Sequence, residues 1–215
     1  MPAIIHETAA AAMRRLTELG VSLEALQRSL AAGHAARISC TPNDPPIIPG
    51  IHAWGYTVRT LREELCPIGW RKADPSNFPL IINDARKINI AVESGDSLTC
   101  NSLGPPRTKS LKGLFTEAAI LRNNLESDLF PEDLAEDLRR VAAVLEYPTW
   151  VLLIYISDDE YRAELSLPDE IEDGQIINWK ERIFIPDSAE PFGGREAVPT
   201  PDQSPEIDVP VRRKA

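Results

Sequence analysis

Residues 104–113 read Gly-Pro-Pro-Arg-Thr-Lys-Ser-Leu-Lys-Gly. Arg107, Lys109 and Lys112 supply three cations there, and Thr108 and Ser110 supply hydroxyl donors. The run lies just ahead of a segment with helix-forming composition. A helix start carries amides without partners and a partial positive charge, so the arrangement suits a phosphate or a carboxylate. It is not a P-loop, because the glycine spacing and the Gly-Lys-Ser/Thr ending are missing. The competing reading is a solvated surface loop. Asp96, in Ser94-Gly95-Asp96, is the carboxylate candidate. At a strand end beside a glycine it can hold a metal or a proton, or it can cap a turn.

Other chemistries are poorly provided for. The histidines are His6, His34 and His52, and the cysteines are Cys40, Cys66 and Cys100. None of the usual zinc spacings occurs, so no metal and no cofactor is expected. Only His34, Cys40 and His52 are candidates to converge. An odd number of widely spaced cysteines points to thiols, not to a disulfide framework. There is no Gly-x-Ser-x-Gly elbow, and neither Glu164 nor Trp179-Lys180-Glu181 has the order of a nuclease strand. No residue is assigned a catalytic role, and the balance leans away from an enzyme.

Residues 6–33 resemble a helix-turn-helix in spacing, with Gly20-Val21-Ser22 at the joint. The second helix offers only Gln27 and Arg28 as donors to a base edge. The alternative is a plain helical hairpin that could serve homodimerisation.

Net charge is −10, unevenly spread. Residues 34–116 hold ten Lys/Arg against seven Asp/Glu, whereas residues 117–208 hold seven against twenty-three. Such an acidic chain disfavours general nucleic-acid binding, which depends on Lys and Arg, but leaves room for a local basic site. The carboxylates of 126–137 and 158–173 suggest either a solvated face or an imitation of a phosphate backbone. The end of the chain, from Val209 to Ala215, reverses the charge with Arg212, Arg213 and Lys214.

Elements that position these residues follow from periodicity. Helices are expected over 6–19 and 23–32, with Gly33 ending the second. Residues 41–50 carry four prolines and read as an extended connector. A helix over 51–65 follows, then a hairpin built on Phe78, Leu80, Ile82 and Ile88, Ile90, Val92. Residues 94–113 form a long loop, and long loops inside a domain are often functional. Helices at 114–125 and 131–146 precede three strands. Residues 149–156 are apolar on both faces and mark a central strand. Asp158-Asp159 turns the chain. On the next strand Arg162, Glu164 and Ser166 alternate with apolar residues, which predicts a wet face. Residues 176–185 form the last strand.

The expected class is therefore α+β: a largely antiparallel sheet of about five strands, packed by helices on one face. It forms one domain over residues 1–186, opened by the helical hairpin of 1–33. Residues 187–215, rich in proline and charge, are expected to be a disordered tail.

From Pro42-Asn43-Asp44-Pro45-Pro46 through Gly50-Ile51-His52-Ala53-Trp54, Leu61–Leu65, Gly69-Trp70 and Ile88–Asp96 to the 104–113 loop, the chain resembles uncharacterised bacterial proteins carried on mobile elements. The resemblance covers about half of the chain. It implies a bacterial accessory protein and no particular activity. No apolar run is long enough to cross a bilayer, and the N-terminus lacks the layout of a signal peptide, so a cytoplasmic protein is expected. Two functions remain open. One is a non-enzymatic accessory protein that binds a protein partner through its acidic half. The other is a binding module, or an enzyme, that takes a phosphorylated ligand or nucleic acid at the 104–113 loop.

Overall fold

Strand β1 (Ile4–His6) opens a seven-stranded sheet in the computed structural model, which describes residues 2–124, 135–157 and 160–186. Helices α1 (Ala9–Leu19), α2 (Leu23–Ile38) and α3 (Ile48–Leu65) come next. Three strands follow, β2 (Arg71–Ala73), β3 (Leu80–Asn83) and β4 (Ile88–Ser94), and then the loop that contains residues 104–113. Helices α4 (Leu114–Asn124) and α5 (Glu136–Val144) lead into β5 (Thr149–Ile156), β6 (Tyr161–Glu172) and β7 (Gln175–Phe184). The expected tail of 187–215, the Asp158-Asp159 turn and most of the 126–137 acidic cluster lie outside the described residues.

The strand order is β1-β7-β6-β5-β4-β3-β2. The α+β class holds, but the sheet is larger and more mixed than the five largely antiparallel strands expected. β4 and β5 are parallel, as are β1 and β7. Parallel neighbours need a crossover, and the loop with α4 and α5 supplies it between β4 and β5. β1 and β2 have only three residues each, too few for a sequence pattern to announce them. The all-apolar segment 149–156 is the middle strand, as its composition requires.

Helices cover both faces, not one. Leu16 of α1, Leu26 of α2 and Leu61 of α3 pack with Ile90, Leu152, Leu165 and Ile183 on one side. On the other, Ala118 and Ala142 of α4 and α5 meet Leu80, Ile82 and Ala91. Trp179, Val151, Leu153 and Ile120 extend that second layer. A register shift between Leu167 and Pro168, opposite Trp179–Glu181, places Trp179 on this side although Glu181 and Ile183 face the other.

Local chemistry explains the helix ends. Thr8 caps α1 by accepting from the Ala11 amide, and Gly20 ends it at φ 70°. Ser22 caps α2 in the same way through Ala25. The helix does not stop at Gly33 but runs to Ile38. Gly33 is instead the crossing point with α3: an added Cβ would stand 2.1 Å from Thr57 Oγ1 and 2.6 Å from the Ala53 carbonyl. Glycine is kept there for close approach and not as a stop. α3 in turn begins inside the expected connector, with Pro49 in its first turn, where a missing N–H costs nothing.

The two donors named for a helix-turn-helix make contacts within the chain. Gln27 donates to the Pro186 carbonyl at 2.8 Å, and Arg28 pairs with Glu64 at 3.0 Å. The apolar stripe of the hairpin, Leu16, Leu19, Leu26 and Leu30, is buried in the chain's own core. That stripe is not left open, whereas Arg28 stays exposed in its ion pair. α1 is further clasped to β7, where Glu181 accepts from Arg15 Nη2 at 3.0 Å and lies 2.8 Å from His6 Nε2. No helix among the described residues is long and apolar enough to cross a membrane.

Candidate functional site

The 95–113 loop is held down by a buried ion pair that the sequence pattern concealed. Glu164 and Ser166 on β6, expected on a wet face, are both fully buried. The loop lies over them. Arg182 of β7 donates to Glu164 through Nε at 2.8 Å and Nη2 at 2.6 Å. Its remaining N–H groups reach the carbonyls of Gly104 at 3.0 Å, Asn101 at 3.1 Å and Leu98 at 3.4 Å. The Cys100 amide and the Ser166 hydroxyl donate to the two Glu164 oxygens. A guanidinium spends its donors in this way on one carboxylate and three backbone oxygens, so the loop is ordered by charge as well as by packing. Trp179 adds a bond from Nε1 to the Pro106 carbonyl at 2.9 Å.

Cys100 belongs to this network and not to a redox site. Its φ of 59° is left-handed, and its thiol donates to the Ala163 carbonyl at 2.9 Å. Burial, followed by the nearby Glu164 carboxylate, pushes the thiol up from 9.0 to about 12. Thiolate formation is therefore easier in the unfolded chain. Stability linked to Cys100 is complete below about pH 9 and is lost as pH rises towards about 12. Urea midpoints are expected to fall between about pH 8.5 and about pH 10.5, and to fall less in Cys100→Ala. An equal slope in both proteins would remove Cys100 as the cause.

The six residues singled out in the sequence part company. Asp96 caps the loop: Oδ1 accepts from Leu98 N at 2.9 Å and Oδ2 from Arg107 N at 3.1 Å. Thr108 is fully buried, and its hydroxyl accepts from the Ile176 amide at 3.1 Å. Lys112 is paired with Glu93. Arg107 and Ser110 are exposed on the loop, and only Lys109 of the three cations lines a cavity with Asp96. The α4 N-terminus that the loop precedes is not part of that cavity.

The cavity lies where β4 and β5 end side by side. Ser94, Gly95 and Asp96 continue β4, and Tyr155 and Ile156 finish β5. In open sheets the carboxyl ends of parallel strands are where crevices form. The cleft holds about 190 Å³ and is closed by Arg37, from the last turn of α2, and by Gly50, from the first turn of α3. Gly50 has open space where a Cβ would stand. The α3 start has no side-chain cap, but the Ile48 N–H is bonded to the Pro45 carbonyl at 2.9 Å and Pro49 has no N–H, so of its first three residues only Gly50 has an amide to offer the cleft. Lys109 forms no ion pair among the described residues, and its amide is fixed by the Ser94 carbonyl at 2.8 Å. Trp54 of α3 donates to the Val92 carbonyl at 3.0 Å and holds the helix over the strand end.

Arg37 and Gly50 escaped the sequence reading. Each depends on a helix running further than its glycine or proline signals suggested. The candidate trio of His34, Cys40 and His52 is partly assembled. Cys40 Sγ lies 3.5 Å from His52 Nδ1, but His34 stacks on Tyr161 at 4.9 Å instead. No group of three or more metal-ligating side chains exists among the described residues. Compared with protein-family models, with curated proteins and with solved structures, the chain matches none.

Proposed function

We propose that the protein is a binding module for a small anionic ligand, a phosphomonoester or a carboxylate, held in the cleft at the ends of β4 and β5. The observation that carries this reading is the convergence of Arg37, Lys109 and Gly50 of the first turn of α3 on one cavity. Among the described residues that line the cavity Asp96 is the one carboxylate, and it is already committed. Both Asp96 oxygens accept from loop amides, which makes Asp96 a brace and a poor general base. Binding without turnover is the function that such a site supports. Tyr155 and Ile156 offer the ligand an apolar wall.

Titration calorimetry with inorganic phosphate and with succinate tests the proposal. Lys109→Ala removes one charged donor, a loss of about ten- to a hundredfold in affinity. Gly50→Leu leaves the charges in place and fills the cleft, and it is expected to abolish binding. Anion binding that survives both changes, or that never exceeds an ionic-strength effect, would sink the reading.

The acidic half keeps a second reading, protein binding, on one observation: some of its carboxylates rim a groove beside α4. Phosphate-backbone mimicry loses ground, because Glu164 of the 158–173 run is buried against Arg182 and offers no surface.

A further inference from the structure

A second groove opens between α4, α5 and the tip of the β6–β7 hairpin, on the opposite face of the sheet from α1–α3. It encloses about 470 Å³. Its floor is apolar, formed by Ile120, Leu121 and Ile171, and its rim carries Glu117, Glu170 and Asp173, with a fourth carboxylate, Asp169, already 4.0 Å from Lys180 Nζ. Asp173 and Gly174 both have positive φ, 49° and 73°, in a tight hairpin turn that fixes the Asp173 carboxylate at the rim. None of the three rim carboxylates has an ion-pair partner among the described residues. The groove thus combines apolar contact with uncompensated negative charge, which fits an extended basic segment with small apolar neighbours.

The chain contains one run of three consecutive cations, Arg212-Arg213-Lys214, and it follows Val209 and Val211. We propose that this segment docks in the groove. The charges match, three against three, and the valines suit the floor. Reach is sufficient. Arg212 stands twenty-six residues beyond Pro186, and that length of chain spans at most about 90 Å. The groove sits at the start of β7 and Pro186 just beyond its end. That strand of ten residues measures about 33 Å. Tethering makes the contact intramolecular, so weak exposed charge pairs are multiplied by a high effective concentration.

Zero-length carbodiimide coupling of the full chain at low concentration, read by mass spectrometry, tests this. Lys214 is expected to couple within one molecule to Glu117, Glu170 or Asp173. Glu170→Lys with Asp173→Asn should cut that coupling about tenfold. Asparagine is chosen because it tolerates the positive φ of the turn. Both substitutions lie at the groove rim, and an unchanged melting curve confirms the fold of the variant. Reversing the tail with Arg212→Glu, Arg213→Glu and Lys214→Glu on that background should restore coupling, now from the amine introduced by Glu170→Lys to the carboxylates introduced in the tail. Coupling spread evenly over other carboxylates, or unchanged by the groove substitutions, overturns the proposal. Coupling found only between molecules assigns the groove to a second copy and overturns it equally.

Discussion

Arg182→Met is expected to lower the stability of the protein by about 3–5 kcal/mol, the cost of leaving a buried charge without its partner. Glu164 is fully buried and Arg182 nearly so. Methionine fills much of the volume but donates nothing. Glu164 then faces only the Cys100 amide and the Ser166 hydroxyl, and the carbonyls of Leu98, Asn101 and Gly104 lose their donor. Urea denaturation measures the loss, and hydrogen exchange over 98–104 locates it. Removing both charges, with Arg182→Met and Glu164→Leu, should recover only part. The ion pair would vanish cleanly, as apolar replacements of buried pairs often allow, but the three loop carbonyls would stay orphaned. Full recovery in the double variant would show that the loop is held by packing alone. A cost below about 1 kcal/mol for Arg182→Met would show that water already reaches the pair.

Trp179→Ala is expected to cost a comparable amount, about 3–5 kcal/mol, from the cavity left by a large buried ring. Trp179 is fully buried between Val151, Leu153 and Ile120. Its indole also holds the Pro106 carbonyl. Trp179→Phe separates the two contributions. It keeps most of the apolar area and loses the bond, so about 1–3 kcal/mol should go. Thermal or urea unfolding of the pair gives the split. If Trp179→Phe proves as costly as alanine, the hydrogen bond and not the ring is the main tether. Both Trp179 and Arg182 hold the loop that carries Asp96 and Lys109. Their variants are therefore expected to weaken phosphate binding although neither residue lines the cleft.

In the proposed module the same geometry favours binding over chemistry. Lys109 is placed by a backbone bond to the end of β4, and Arg37 by the final turn of a long helix. Both are cations on scaffolded backbone, and the carboxylate beside them is tied to loop amides. The rigid elements supply orientation, while the open position beside Gly50 supplies room.

Some of this was determined by the sequence alone. The apolar run 149–156 had to be a central strand, since no one-sided sheet position would bury both of its faces. The helical spacing of Trp54, Val58, Leu61 and Leu65 required α3, and Gly20 and Ser22 set the ends they flank, whereas the first helix, expected from residue 6, starts at Ala9 behind its Thr8 cap. The loop after Gly95 was legible from its prolines and glycines. These are local facts, decided by period and by backbone preference.

Tertiary structure decided the rest. Gly33 looked like a helix stop because one residue cannot reveal that another helix will cross it. Glu164 and Ser166 looked like a wet face because alternation reports which side of a strand is polar, not what will cover it. Here a loop about sixty residues earlier in the chain lies over that side, and Arg182, eighteen residues later, neutralises it. Of the basic loop, Thr108 and Lys112 were drawn into the fold, and Lys109 alone reached the cleft with Asp96. Residue type and spacing state what a side chain can do. Whether its charge is left available depends on partners far away in sequence, and only the assembled sheet brings those partners within hydrogen-bonding distance.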